Sequence, residues 1–273
     1  MTAPTMANAA PRDQGTPQPG DSYVQSFARG LEVIRTFNAQ APQQTLSEVA
    51  QRSGLTRAGA RRILLTLHAL GYVQTDGKLY QLTPRILDLG FAYLSSMPIW
   101  NLAGPVMEAL VGQVKESCSA AVLDATDIVY VLRVPTHKIM SITLGVGSRL
   151  PAYCTSMGRV LLADLPEDEL MARLKASNRQ AHTRHTVTDI DALAARVAQA
   201  RRQGWCIVNQ ELEEGLISMA APITNNAGRT VAALNISGQA NRTSARAMQD
   251  NLLPALLDGA RTISLLLGQR GAG

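Results

Sequence analysis

No apolar run in the sequence approaches the ~18–20 residues of a membrane span. The N-terminus lacks the charged-then-apolar layout of a signal peptide. Cysteine is scarce: Cys118, Cys154 and Cys206 are odd in number and have no metal-ligand spacing. A disulfide framework is therefore not expected, and a reducing cytoplasm is. Histidine is also sparse. His68, His137, His182 and His185 form no HExxH or other zinc signature and no motif with Cys154. Ser156 lacks the preceding glycine of a nucleophile elbow. These absences leave no catalytic residue, metal site or cofactor to expect.

What is present is globular. The 273 residues are 46% apolar and 17% charged. That length predicts roughly two domains, and the apolar share is too high for a disordered chain. The net charge of +5 is unevenly placed. Between Ser22 and Arg85 the basic residues are Arg29, Arg35, Arg52, Arg57, Arg61, Arg62, Lys78 and Arg85, against Glu32, Glu48 and Asp76. The rest of the chain balances, with 18 charges of each sign. A localised excess of this kind fits a nucleic-acid-facing module joined to a neutral one, or simply a solvated basic surface.

Residues 1–21 hold Pro4, Pro11, Pro17 and Pro19 and no aromatic side chain; a disordered tail is expected. Three short helices follow. In the first, over 26–38, Phe27, Leu31, Ile34 and Phe37 form an apolar stripe. Thr45 and Glu48 make a capping box for the second, 46–53, which faces Leu46, Val49 and Ala50 inward. Gly54 ends it. Thr56 caps the third, whose stripe is Ala60, Ile63, Leu64, Leu67 and Leu70. Val73–Leu82 reads as a hairpin turning at Asp76-Gly77, both residues with positive φ. Helix, helix, turn, helix, hairpin is the winged helix-turn-helix order, here over 22–83.

The third helix then turns Thr56, Arg57, Ala58, Arg61 and Arg62 outward at its start, where such helices enter the major groove. Guanidinium suits guanine O6 and N7 or a phosphate. Small residues permit close approach, and Lys78 at the hairpin tip suits a phosphate. A solubilising helix face is the alternative, with Arg62 paired to Glu48 or Asp76.

Thr83-Pro84 opens a linker helix over 84–98, closed by Pro98 and apolar enough to pack against another subunit. The remainder, 99–268, alternates helices (102–116, 156–164, 166–177, 190–203, and 244–267 interrupted near Pro254) with strands (120–123, 128–134, 141–146, 205–209, 218–223, 229–237). The stretch around Gly147 and Pro151 reads as irregular. An α+β domain with one antiparallel sheet flanked by helices fits this order.

Gln25–Ile34, Leu46–Ala50 and Gly54–Arg57 resemble the DNA-binding domain of IclR-type regulators. Leu150–Ala163, Gln210–Leu216 and Ala220–Ile223 resemble that family's effector domain. Leu82–Gly90, Tyr93–Ser96, Glu116–Asp124 and Tyr153–Met157 are similar to its PcaR/PcaU/PobR branch, regulators of β-ketoadipate and aromatic-acid pathways. The resemblance implies a GAF-like effector domain and binding of palindromic double-stranded operators as a homodimer or tetramer. It also implies contact with RNA polymerase and control by a small acid: protocatechuate, 4-hydroxybenzoate or β-ketoadipate.

A carboxylate needs oriented donors in an apolar cavity. Ser156, Met157 and Gly158 lie at an expected helix start, where N–H groups favour an anion. Asn235 and Ser237 alternate onto one strand face and, with Ser218, match the family's ligand-contacting positions; ordinary strand hydrogen bonding is their other reading. Leu144, Leu150 and Met219 are wall candidates. Val208 stands where some members carry an acidic residue, which fits a larger or less polar ligand. Arg133 either neutralises the carboxylate or sits at the surface. Glu211 and Glu213 read as surface or cap carboxylates. Cys154 admits three readings: a nucleophile activated at a helix start, a redox sensor, or a small buried hydrophobe.

Overall fold

The computed structural model describes residues 23–96, 99–136 and 144–270. The expected tail, Pro98 and residues 141–143 of the expected strand lie outside the described residues. The chain divides into two compact units, one running to Tyr93 and the other beginning at Leu94.

The first unit contains α1 (Gln25–Arg35), β1 (Gln43–Thr45), α2 (Leu46–Arg52), α3 (Arg57–Ala69), β2 (Val73–Thr75) and β3 (Leu79–Leu82). Its core is Val33, Val49, Ala50, Ala60, Leu64, Leu67 and Val73. Complete burial of Leu64 is worth roughly 1.5–3 kcal/mol. The apolar stripe of α1 is only partly used. Phe27 and Leu31 are exposed, whereas Val33 is fully buried and Ile34 and Phe37 pack beside it. Helical periodicity assigns a face, but α2 and α3 cover only its C-terminal end. Leu70 is also exposed, because α3 has ended there and Val73 turns into the core instead.

The expected capping box forms: Glu48 N–H donates to Thr45 Oγ1 (3.3 Å), and Thr45 N–H donates to Glu48 Oε2 (2.7 Å). The hairpin differs in its turn. Its two central residues are Gly77 and Lys78, closed by Asp76 N–H donating to the Leu79 carbonyl, and only Gly77 has positive φ (97°). Glycine at the first central position suits that conformation. Asp76 Oδ1 instead accepts the Lys78 and Leu79 amides at 2.8 Å. β1 carries no strand signature, yet it pairs with β3 to complete a three-stranded sheet. There Gln44 is buried and donates to Thr36 Oγ1 and the Ala41 carbonyl.

The expected linker helix divides. A 3-10 turn at Pro84–Ile86 precedes α4 (Leu87–Ser96). Proline does occupy the first helical position, but the Thr83 hydroxyl donates to the Gly71 carbonyl and makes no cap.

The second unit holds α5 (Ile99–Val114), β4 (Ser117–Asp124), β5 (Asp127–Val134), β6 (Arg149–Pro151), α6 (Ser156–Leu162), α7 (Glu167–Ala176), α8 (Ile190–Gln203), β7 (Cys206–Asn209), β8 (Leu216–Thr224), β9 (Thr230–Gln239) and α9 (Ala245–Arg270). The strands form one antiparallel sheet, ordered β6-β5-β4-β9-β8-β7. Helices α6, α7 and α8 cover one face and α5 and α9 the other, with a hydrophobic core on each side. The α+β architecture read from the sequence is therefore the architecture observed.

Two elements depart from expectation. Leu144–Val146 are not a strand; the strand of this region is β6, in the stretch read as irregular. And α9 is continuous through Pro254, which its packed neighbours Leu252, Leu253 and Leu256 hold in place. A buried apolar face offsets the hydrogen bond that proline forfeits.

Candidate functional site

In the first unit, α3 begins at Arg57 because Thr56 Oγ1 accepts the Gly59 N–H at 3.1 Å. Ala60, Leu64 and Leu67 bury one side of the helix. Arg57, Ala58, Arg61 and Arg62 stand exposed on the other, and Lys78 is exposed at the hairpin tip. Among the described residues no ion pair involves the three arginines. The carboxylates considered for Arg62 are engaged elsewhere. Hydrogen bonds from Thr45 hold the Glu48 carboxyl below its ordinary range. The Leu79 and Lys78 amides do the same for Asp76.

In the second unit, a cavity opens between the sheet and the start of α6. With its open mouth and adjoining solvent space included, it measures about 550 Å³. Tyr130, Leu144, Leu150, Met157, Val208, Leu212 and Leu216 form its apolar wall. Arg133, Thr155, Ser156, Glu211, Ser218, Asn235 and Ser237 are the polar residues of the lining. Ser156 Oγ and Ser218 Oγ lie 2.9 Å apart. Asn235 Oδ1 accepts the Ser119 N–H (3.0 Å), and Arg133 donates to Ser119 Oγ (3.3 Å). Arg133 has no carboxylate partner among the described residues.

A bulge brings Arg133 into this wall. Ala120 pairs with Leu132 but Ala121 pairs with Tyr130, so Val131 is an extra residue on β5. Simple alternation places residues 130 and 133 on opposite faces. The bulge restores both to the cavity side.

Eight of the ten expected effector residues therefore meet in one cavity: Arg133, Leu144, Leu150, Ser156, Met157, Ser218, Asn235 and Ser237. Two do not. Met219 follows Ser218 on β8, so its side chain points to the opposite face and packs in the α5–α9 core. Gly158 packs against the Ala152 backbone, and its N–H is taken by Thr155 Oγ1 (3.2 Å). That leaves Ser156 and Met157 at the helix start without an amide partner among the described residues.

Glu211 is not a surface carboxylate. It is buried and bidentate with Arg159, at 2.7 and 2.6 Å. Alone, the acidic run 211–214 carries no signal that one member turns inward. Tyr130 and Leu216 on strands and Leu212 in the connection before β8 were likewise invisible as wall residues, since other apolar residues of the sequence look the same.

Cys154 borders the cavity, fully buried, and burial pushes its thiol up to about 12. A reactive or redox-sensing thiol needs the opposite: exposure and a lowered pKa. Cys118 (about 12) and Cys206 (about 11) are buried and raised for the same reason. Among the described residues no three His, Cys, Asp or Glu side chains converge as metal ligands, and no helix is long and apolar enough to cross a membrane.

Comparison with known proteins places this arrangement. Residues 26–77 match the IclR helix-turn-helix domain, and residues 91–265 match the bacterial transcriptional regulator IclR C-terminal domain. The chain is 40% identical over 264 residues to the Pca regulon regulatory protein of Pseudomonas putida, covering 96% of this chain and 90% of that one. It is 32% identical over 252 residues to the p-hydroxybenzoate hydroxylase transcriptional activator of Acinetobacter baylyi, covering 90% and 93%. The crystal structure of an IclR homologue from Microbacterium hydrocarbonoxydans, complexed with 4-hydroxybenzoate, matches with a TM-score of 0.79 at 25% identity, over 89% of this chain and 99% of that one. With both domains matched in order and a relative 40% identical across nearly its whole length, the chain belongs to the IclR family of bacterial transcriptional regulators.

Proposed function

We propose that the chain binds operator DNA through α3 and the hairpin, under the control of a small carboxylic acid held in the cavity of the second unit. The carrying observation is Arg133, a guanidinium lining a largely apolar cavity without a carboxylate partner among the described residues. Such a group stabilises an incoming carboxylate by charge-assisted hydrogen bonds. Ser156, Ser218, Asn235 and Ser237 supply donors and acceptors for ring hydroxyls, and the Ser156 and Met157 amides add two more donors. Leu144, Leu150, Met157 and Val208 suit an aromatic ring. The 4-hydroxybenzoate in the Microbacterium homologue supports this class. Protocatechuate and 4-hydroxybenzoate are the aromatic candidates, with β-ketoadipate the dicarboxylic one, and the regulated genes are those of aromatic-acid catabolism.

On the DNA side, Arg57, Arg61 and Arg62 reach base edges or phosphates in the major groove, with Thr56 and Ala58 at the close approach and Lys78 on a flanking phosphate. Exposed Val24, Phe27, Leu87 and Phe91 support self-association. The assembly is then a homodimer or tetramer on a palindromic operator in the cytoplasm, with RNA polymerase as a further partner. Calorimetric titration of the full chain with the three acids tests the reading. One of them should bind saturably and change operator affinity in a gel shift. Absence of binding by all three overturns it.

A further inference from the structure

The ion pair between Arg159 and Glu211 is the most enclosed pair of charges among the described residues, with side chains 2% and 10% exposed. It ties together both sides of the cavity. Arg159 belongs to α6, and its Nε donates to the Tyr153 carbonyl at 2.9 Å. That bond holds the turn carrying Cys154 to Met157, four residues that line the cavity. Glu211 lies in the connection before β8, next to the lining residue Leu212. Its Oε2 also accepts the Val187 N–H (3.1 Å), and its carbonyl accepts the Thr186 hydroxyl (2.5 Å). Gln210 just before it has a φ of 60°, the left-handed region that non-glycine residues seldom adopt. Glu211 lines the cavity on one side and, with Arg159, a second hollow on the other. The pair is thus a partition.

We infer that Arg159 and Glu211 are positioning residues for the effector, and that Arg159 keeps the cavity receptive to an anion by neutralising Glu211. The inference rests on the carboxylate-effector reading above. Glu211 is the acidic residue lining the cavity. Unpaired, it repels a carboxylate and leaves a neutral ligand unaffected. Like charges brought together at a binding surface weaken association strongly.

The test is calorimetric titration of the full chain with 4-hydroxybenzoate and its neutral amide, 4-hydroxybenzamide. Arg159→Met is expected to weaken the acid by roughly tenfold or more relative to the amide. Adding Glu211→Gln to that variant should restore the acid-to-amide ratio. A ratio unchanged in Arg159→Met, or acid and amide weakened together with no rescue, overturns the inference and reduces the pair to a packing element. If Arg159→Met does not fold, Glu211→Gln alone decides. It frees the Arg159 charge, so the ratio should rise in favour of the acid, and an unchanged or lower ratio overturns the inference. Wild-type protein that binds neither this acid, protocatechuate nor β-ketoadipate overturns the effector reading itself, before any variant is compared.

Discussion

In the first unit Arg57, Arg61 and Arg62 stand in solvent on a helix whose other side is packed. In the second, Arg159 is buried inside a helix that exposes none of its residues, and Arg133 lines a cavity. The two units use the same side chain in opposite settings. A solvated arginine keeps its hydration and is presented to a large polyanion, so its neighbours matter little. A buried one must be paired or hydrogen-bonded, so its position depends on the whole fold. The charge asymmetry follows the same division, with the excess in the unit whose chemistry is on its surface.

The sharpest way to break the comparison is to damage one unit alone. A Cβ on Gly158 overlaps the Ala152 carbonyl oxygen and Cα. Gly158→Ala should therefore destabilise the second unit by about 3 kcal/mol. Both tryptophans, Trp100 and Trp205, lie in that unit. Their fluorescence in a denaturant titration should show the shift, while operator binding by the intact first unit is retained at low denaturant. An unchanged midpoint would mean that the Ala152 backbone yields freely.

Next in size is Arg133→Leu. Loss of a charged hydrogen bond to the acid costs about 1.5–3 kcal/mol, seen as a weaker calorimetric constant. Operator affinity of the acid-free protein should not move. Arg61→Ala should do the reverse, costing ~1–3 kcal/mol of operator affinity in gel shifts and leaving acid binding intact. Any variant that weakens both equally contradicts the division of labour.

The smallest effect at neutral pH concerns the thiols, all three in the second unit. From an ordinary value of 9.0, burial raises Cys118 and Cys154 to about 12 and Cys206 to about 11. Below pH 9 both folded and unfolded chains hold these protons, and stability is unaffected. Above it the unfolded chain releases them first and so binds fewer protons, and stability falls as pH rises towards 12. Tryptophan-detected melting should be flat from pH 7 to 8 on this account and decline above 9. In Cys154→Ala the decline should be shallower.

The first unit was largely legible from residues alone because its determinants are local. Thr45 with Glu48, Thr56 before Arg57, and the Ala60–Leu64–Leu67 spacing each act within one or two turns. Its errors were the hairpin turn, which centres on Gly77 and Lys78, and the places where coverage matters. Phe27 and Leu31 have the right period, but they stay 68% and 37% exposed. In the second unit the polar side chains of the cavity were found mostly through resemblance, while Ser119, which bonds Asn235 and Arg133, and the Arg159–Glu211 pair were not found. Ser119 and Asn235 are 116 residues apart in the chain, and Arg159 and Glu211 are 52 apart.

By itself the sequence determined most of the helix and strand segments, though not β1 or β6, where most caps fall, and that the basic surplus sits on a winged helix-turn-helix. These follow from backbone preference and periodicity over a few residues. Only the tertiary structure decided that Val131 is bulged so that Tyr130 and Arg133 share a face, that Met219 points away from the cavity, and that Glu211 is buried against Arg159. Each depends on strand register or on contacts between distant segments, which no local pattern encodes.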